Sequence, residues 1–433
     1  YARSLGIDMI ICDHHLPGAE LPAAVAVLDP KRPDCPYPFK ELSGCGIGFK
    51  LMQAVAEHNG MPFSELEPLL DLVAISTACD IVPVNGENRI LMHHGLRRLN
   101  NGQPRPGIQA MLGVTNFTKQ LSVTDLVFTI GPRINAAGRI EHGQQAVELL
   151  LSRDRQQAEQ IGLRIDRNNS QRQDLDKEIT RQAMEQLTTD EQLREAWSTV
   201  VFNKDWHKGV VGIVASRLVE SHYRPTVVLT ESNGKATGSA RSVKGFDVHD
   251  AISACADLLD QYGGHMYAAG LSLPLENVVA FRERFEQVVR ERLHPDQRTP
   301  EEEVDEVLDL ERVTDRLARA LHHMAPFGPQ NMRPVFASIG VVDSGRCRIV
   351  GEDHLKLALH PPGDPGRTID AIAFRQGRHL DMVKRGDPFS VLYTIEENEW
   401  QGRRSLQLNI KDIKPGVVNV IEEPVALQAT GAA

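Results

Sequence analysis

The sequence predicts a mixed α/β protein: an incomplete parallel-sheet domain, a long bridging helix, a second α/β domain and a C-terminal β-barrel. Three observations carry this expectation. Short apolar runs alternate with helical periodicity over most of the chain. Residues 152–187 are rich in Gln, Arg, Asp and Glu, with Ile161, Ile165, Leu175 and Ile179 at helical spacing, the pattern of one long polar helix. From Pro334 onward, short strand-like runs follow one another between Gly, Asp and Pro turns. At 433 residues the chain also exceeds one ordinary core.

Taken in order, Ile7-Asp8-Met9-Ile10-Ile11-Cys12 reads as a strand buried in a parallel sheet, and residues 24–28 read as a second strand. So central a strand normally follows earlier β-α units, and the first residue is Tyr; the expectation is that upstream sequence precedes it. Helices are expected over 43–58, 65–79, 88–99, 107–112 and 122–130, with Gly and Pro punctuating the joints. After the long helix come strands at 199–202, 226–229 and 235–239, and helices at 210–219, 247–259 and 278–293. The acidic stretch 300–309 reads as a connection. Strands at 335–342, 354–359, 368–374, 388–394 and 405–413 make a small barrel, for which an OB-fold is the natural candidate. The expected domain bounds are therefore 1–151, 152–196 for the bridging helix, 197–300, 301–333 for a linker, 334–415, and a loosely ordered tail at 416–433.

Composition excludes several classes. Hydrophobic residues make up 41% and charged residues 24%, ordinary values for a globular protein. The longest apolar runs, such as 69–78, are too short to span a bilayer, and the opening lacks a signal-peptide layout. Cys12, Cys35, Cys45, Cys79, Cys255 and Cys347 form no CxxC pair, which argues against a disulfide framework or a thiolate zinc site. The expectation is a cytoplasmic protein with no membrane partner. A net charge of −10 runs against nucleic-acid binding in bulk, yet a basic groove can sit on an acidic body.

Four stretches carry chemistry. Asp13-His14-His15 follows the first strand, and ligands of open α/β sheets bind beyond the carboxyl ends of strands. Imidazole and carboxylate together suit Mn²⁺, or Mg²⁺ where oxygen ligands dominate; alone, the triplet also fits a surface loop with a turn-forming Asp. Asp80 ends an apolar helix before Pro83. There it is either a turn residue or a carboxylate whose unfavourable place at a helix C-terminus is offset by a cation. Gly131–Arg139 packs small residues around two arginines, which suits either tight helix packing or phosphate recognition. Finally, Trp206-His207-Lys208-Gly209-Val210-Val211-Gly212 lies between strand and helix, where anions are favoured. Gly238-Ser239-Ala240-Arg241 follows, and then the Gly-rich loop Gly263-Gly264-His265 leads to Gly270.

With Asp80, the Asp-His-His triplet resembles the DHH phosphoesterase superfamily. The resemblance implies that His14 and Asp80 are metal ligands, that Asp13 ligates or orients its neighbour, and that His15 contacts the scissile phosphate. It implies Mn²⁺ or Mg²⁺, two ions in the intact protein, which generate hydroxide and clamp the reacting oxygens. The family also carries an Asp-x-Asp motif and a further Asp that would lie N-terminal to Tyr1, so the chain as given is expected to bind metal poorly. The ordered WHxGVVG, GSAR and GGHxxAAG motifs resemble the DHHA1 substrate-binding domain. They imply that Ser239, Arg241, Gly264 and His265, with His207, grip the nucleotide backbone. The stretch around Arg139 and Asn135 is similar to one in RecJ-like members and implies a 5′-phosphate pocket.

The shared motifs also permit an oligoribonuclease or a cyclic-dinucleotide phosphodiesterase. Those relatives end near the Gly-rich domain, whereas this chain continues through 324–336 into the barrel, as RecJ-like proteins do. Arg346, Arg348, Lys356, Arg375 and further Lys and Arg make that region comparatively basic. Phe374, Phe389, Tyr393 and Trp400 are candidates for base stacking, with Trp400, in a polar turn, the one expected to be exposed. The resemblance implies a 5′→3′ exonuclease specific for single-stranded DNA, acting in recombination and repair as a monomer beside a helicase and a single-strand-binding protein. The alternative from another class is an inactive scaffold that binds single strands without cutting.

Overall fold

The computed structural model describes residues 1–18, 20–102, 104–400 and 403–418. The expected tail beyond 418 lies outside them. Two compact units emerge. One comprises Tyr1–Ser43, Ile81–His93 and the chain from Glu302 onward; the other comprises Gly44–Asp80 and His94–Glu301. Among the described residues no helix is long and apolar enough to cross a membrane.

The first unit opens with β1 (Ile10–Cys12) and β2 (Ala26–Leu28), paired in parallel with Ile10 opposite Ala26. Ile7, Met9 and Ile10 are exposed. The apolar strand that reads as buried is therefore uncovered among the described residues.

In the second unit the helices Gly44–His58 and Leu70–Cys79 pack early in the chain. The expected helix from 65 starts only at Leu70, because Pro68 sits in a preceding 3-10 turn, Glu67–Leu69 and cannot serve a helix interior. The stretch 122–130 is a short helical turn, Val123–Asp125, followed by a π-helical turn, Leu126–Ile130, which leads into the helix Gly131–Ile140.

The long helix, Arg155–Thr189, is capped by the Asp154 side chain. It is more than a solvated rod: Gly162, Ile165, Asn169, Asp176, Ile179, Ala183 and Leu187 are buried along one stripe at helical spacing. Its last turns cover a five-stranded sheet ordered β3 (Thr199–Phe202), β4 (Thr226–Ser232), β5 (Lys235–Arg241), β7 (Ala268–Leu273) and β6 (Gln261–His265). β3 and β4 are parallel, joined by the helix Val211–His222; the other pairs are antiparallel.

Strand alternation feeds two cores. Val200 and Val227 join Phe281 and Phe285 on one face. Val201 and Val228 join Val214, Leu218, Ile179 and Leu187 on the other. Two expectations change here. The Gly-rich stretch 263–270 is a hairpin, β6 to β7, rather than a loop, because its small residues pair in register, Gly263 with Gly270 and His265 with Ala268. The helix expected over 247–259 ends at Ser253 and gives way to a 3-10 turn.

The C-terminal part of the first unit comprises β8 (Glu306–Val307), β9 (Phe336–Asp343), β10 (Arg348–Val350), β11 (His354–His360), β12 (Ile369–Ala373), β13 (Phe389–Trp400) and β14 (Arg403–Pro415). They run in the order β10-β11-β12-β14-β13-β9-β8, and β11 pairs back onto β9. β9, β11, β12, β14 and β13 thus close a five-stranded ring of OB type, with β12 and β14 its parallel pair. Inward residues Leu355, Leu357, Ala371, Phe389, Tyr393, Leu408 and Ile410 fill it. The acidic stretch read as a connection contributes β8, which pairs in parallel with β9.

The chain entering the barrel is clamped by residues 81–93. The Val84 N–H donates to the Pro329 carbonyl at 2.7 Å, and Arg89 donates to the Met324 carbonyl at 2.9 Å. The Asn85 amide donates to Gln330 at 2.8 Å.

Candidate nucleic-acid interface and metal-binding residues

Asp13 leaves β1 with its N–H still bonded to the Leu28 carbonyl, at 3.0 Å, so the sheet ladder fixes where the triplet begins. Its Oδ1 then gathers three donors. The His14 N–H lies at 2.7 Å, the His15 N–H at 3.3 Å and the His15 ring Nδ1 at 2.8 Å. The His15 hydrogen bond, foremost, and the two backbone donors hold the Asp13 carboxyl below its ordinary range against the opposing effect of burial. The two imidazoles lie 4.3 Å apart, tilted. Asp13 is thus an orienting group for the pair: it fixes the His15 ring through Nδ1 and leaves Nε2 to face outward.

Asp80 belongs to the other unit. It caps the Leu70–Cys79 helix, its N–H bonded to the Ser76 carbonyl at 2.9 Å, with φ −87° and ψ −5°. The next residue, Ile81, has φ 58°, a costly conformation for a β-branched residue. Such strain gathers at functional turns. Burial, with the Asp80 charge beside it, pushes the Cys79 thiol up to about 11. Asp13, His14 and Asp80 have the donor chemistry of a Mn²⁺ or Mg²⁺ shell. Among the described residues, however, no group of three or more His, Cys, Asp or Glu side chains is arranged to hold an ion.

The second unit brings several predicted residues together. Arg139, in the last turn of the Gly131–Ile140 helix, donates from Nη1 to the Gly209 carbonyl at 3.1 Å. Asn135 is exposed one turn earlier on the same face. Gly209 in turn donates its N–H to His207 Nδ1 at 3.1 Å, so the neutral His207 ring carries its proton on Nε2, free to donate to an anion. The Val211–His222 helix starts here, and its first turn meets β5. A Cβ on Gly212 would come within 3.2 Å of both Ser239 Oγ and Arg241 Nη2.

Ser239 and Arg241 share one face of β5, two residues apart, and Arg241 Nη1 donates to Ser239 Oγ at 2.7 Å. Burial, and then repulsion from Arg139, pull the Arg241 guanidinium below its ordinary value. A hydroxyl and two mutually repelling guanidiniums at a helix start make a seat for an anion. The signal for it was in the sequence as three separate motifs. The contribution of Gly212, which lets the helix approach β5, was not singled out.

Gly264 and His265 lie on the exposed edge strand β6. Gly264 has φ 149°, and a Cβ there would collide with Ala268 and Ala269. His265 accepts the Tyr267 N–H on Nδ1, at 3.3 Å. On the barrel, Phe389 and Tyr393 are core, whereas Phe374 is 52% exposed, with the His354 ring edge-on at 5.2 Å. Among the described side chains of these candidates, the exposed one is Phe374, just after β12. Trp400 closes β13, and its side chain lies outside the described residues.

Comparison with known proteins gives this arrangement a family. Models of the DHH family N-terminal domain, the DHHA1 domain and the RecJ OB domain match residues 1–77, 196–291 and 304–412. The single-stranded-DNA-specific exonuclease RecJ of Bacillus subtilis is 37% identical over 95% of this chain and 51% of its own length. That of Escherichia coli is 36% identical over 96% of this chain and 74% of its own length. The crystal structure of RecJ in complex with Mn²⁺ from Thermus thermophilus superposes with a TM-score of 0.82 at 29% identity, covering 96% of this chain and 60% of that one. A Mg²⁺ complex from the same source gives 0.78. The chain thus spans about half the length of the Bacillus relative and, on the identity and coverage of the Escherichia relative, belongs to the RecJ family.

Proposed function

We propose that this chain carries the DHH, substrate-binding and OB parts of a metal-dependent exonuclease that degrades single-stranded DNA from the 5′ end. The convergence of Arg139, Ser239 and Arg241 at one helix start carries the reading. A seat of that chemistry suits a phosphate, and it occurs in a chain whose relatives are single-stranded-DNA-specific exonucleases. In this reading Arg139, Ser239 and Arg241 hold the strand's 5′ end, with Asn135 and His207 beside them. Gly264 and His265 guide the backbone along the β6 edge, and the barrel binds single strand through its own surface.

His14 and Asp80 would hold a divalent ion, Mn²⁺ or Mg²⁺ as in the related structures. When bound, such an ion supplies hydroxide near neutral pH and stabilises charge on the attacked phosphate. Asp13 orients His15 through Nδ1, which leaves Nε2 to meet the scissile phosphate, donating to its oxygen when the ring is protonated. Work in recombination and repair, in the cytoplasm, beside a helicase and a single-strand-binding protein, belongs to the same proposal.

The test uses the complete protein with Mn²⁺ and long single-stranded DNA labelled at the 3′ end, against short RNA and cyclic dinucleotides. Release of mononucleotides from the DNA alone is expected. His14→Ala should abolish turnover and keep DNA affinity, while Arg241→Ala should weaken DNA binding and leave Mn²⁺ affinity unchanged. A fully active His14→Ala, or loss of Mn²⁺ in Arg241→Ala, overturns those assignments.

A further inference from the structure

Phe128 is 74% exposed, more than any other phenylalanine among the described residues. One exposed apolar side chain is ordinary on a protein surface. Three features set this one apart, and the first is the backbone that carries it. Leu126–Ile130 is a π-helical turn, closed by the Gly131 N–H donating to the Leu126 carbonyl, and such turns gather at functional sites. Leu126 and Ile130 are fully buried, so the turn is anchored from within and Phe128 is left on its outer side.

The second feature is rigidity. The thiol of Cys79, the residue before Asp80, points at the same Leu126 carbonyl at 3.8 Å. Arg133 donates to the Thr129 carbonyl at 2.7 Å and, from Nε, to Asp166 of the long helix at 2.9 Å. The turn is thus tied both to the Leu70–Cys79 helix and to the long helix, and an aromatic mounted on it is set in place before any ligand arrives. The third feature is continuity. The turn runs directly into the Gly131–Ile140 helix, and Phe128, Asn135 and Arg139, at i, i+7 and i+11, lie along one exposed side of it. Arg139 is where that side reaches the phosphate seat. Among the described residues no ring or guanidinium stacks on Phe128.

We propose that Phe128 is a stacking platform for an unpaired nucleobase of the strand whose 5′ end lies at the seat. The inference rests on the seat assigned above. Every base has a π-face, so a platform of this kind accepts all four without reading sequence. A base inside a duplex is stacked and paired already, and taking it out costs a few kcal/mol. Phe128 therefore favours single strands over duplex.

The experiment measures binding to the complete protein without divalent ion, so that the strand is held and not cut. The probes are a 5′-phosphorylated oligodeoxynucleotide and the same strand annealed to its full complement. Phe128→Ala should weaken binding of the single strand about tenfold, the scale of one base on one aromatic, and leave the duplex nearly unaffected. Phe128→Trp should retain the affinity. Phe128→Leu, apolar but without an aromatic face, should lose as much as Phe128→Ala. An abasic site moved stepwise from the 5′ end locates the base: at one position the unaltered protein and Phe128→Ala should bind alike. Unchanged affinity in Phe128→Ala, or full affinity in Phe128→Leu, overturns the platform. A melting temperature several degrees lower in Phe128→Ala, with affinity intact, overturns it too, because the ring would then be covered by another part of the protein. Arg241→Ala separates the two levels. If it weakens binding while Phe128→Ala does not, only this inference fails; if it leaves binding intact while Phe128→Ala weakens it, the seat is misassigned and the platform stands.

Discussion

Arg139 and Gly209 are locked to each other from both sides: the guanidinium donates to the Gly209 carbonyl at 3.1 Å, and the Arg139 carbonyl occupies the space a Gly209 side chain would need. The end of the Gly131–Ile140 helix and the loop before the Val211–His222 helix can meet only because residue 209 has no Cβ. Gly209→Ala should therefore push Arg139 away from Arg241 and Ser239. Affinity for 5′-phosphorylated single strands is expected to fall about tenfold or more, with the sheet intact by circular dichroism. Unchanged affinity would show that the close approach does not matter to binding.

Gly264 makes a second test of backbone over side chain. With φ 149° and Ala268 and Ala269 against the vacant Cβ position, Gly264→Ala must distort the β6–β7 hairpin, at a cost of about 1–3 kcal/mol. His265 moves with it. Strand affinity should drop several-fold, and the loss should exceed that of His265→Ala alone, because both the imidazole and the edge backbone are displaced. Equal effects of the two substitutions would confine the role to the imidazole.

Much of this was legible in the sequence, for identifiable reasons. Strands β3 and β4 and the five strands of the barrel ring were marked by apolar and β-branched runs between Gly, Asp and Pro turns, and the long helix by its periodicity and length. The hairpin at 261–273 was not, because Gly and Ala carry no strand signal and pair only by backbone register. β8 was hidden for a similar reason: a two-residue strand in an acidic stretch exists only through its partner β9. At the site, residue types gave Ser239, Arg241 and Arg139, but local spacing could not show that they meet. Nor could it show that the polar middle of the long helix faces inward, since a buried Asp176 and a solvated one look alike until Arg217 is placed against it.

Phe374 yields a third prediction. Phe374 stands at the end of β12, braced by His354 at the start of β11, and Arg375 donates its N–H to the same His354 ring at 3.1 Å. β11 and β12 are the second and third strands of the ring, the surface on which OB-folds bind oligonucleotides. Stacking of a base on one aromatic contributes about 1–3 kcal/mol. Phe374→Ala should weaken binding of long single strands about tenfold, and Phe374→Trp should retain it. If the Ala variant binds as before, Phe374 is no stacking platform.

The barrel core supplies a test of pH dependence. Tyr393 is fully buried, its hydroxyl 2.9 Å from Ser338 Oγ. Burial, with a smaller push from Asp309 and against the Ser338 hydrogen bond, raises its pKa from 10 to about 12. Below pH 10 the phenol is neutral in folded and unfolded chains alike, so the full stability is present. Between pH 10 and 12 the unfolded chain releases the proton while the folded barrel retains it, which favours unfolding; above 12 the difference no longer grows. The loss should approach about 2–3 kcal/mol across that window, at roughly 1.4 kcal/mol per pH unit. Tyr393→Phe cannot ionise, and Ser338 retains its bond to the Leu308 carbonyl. Denaturant unfolding at pH 9, 10, 11 and 12 should therefore show the unaltered protein losing this amount relative to Tyr393→Phe. Parallel curves for the two proteins would mean that the Tyr393 hydroxyl is not held neutral by the fold.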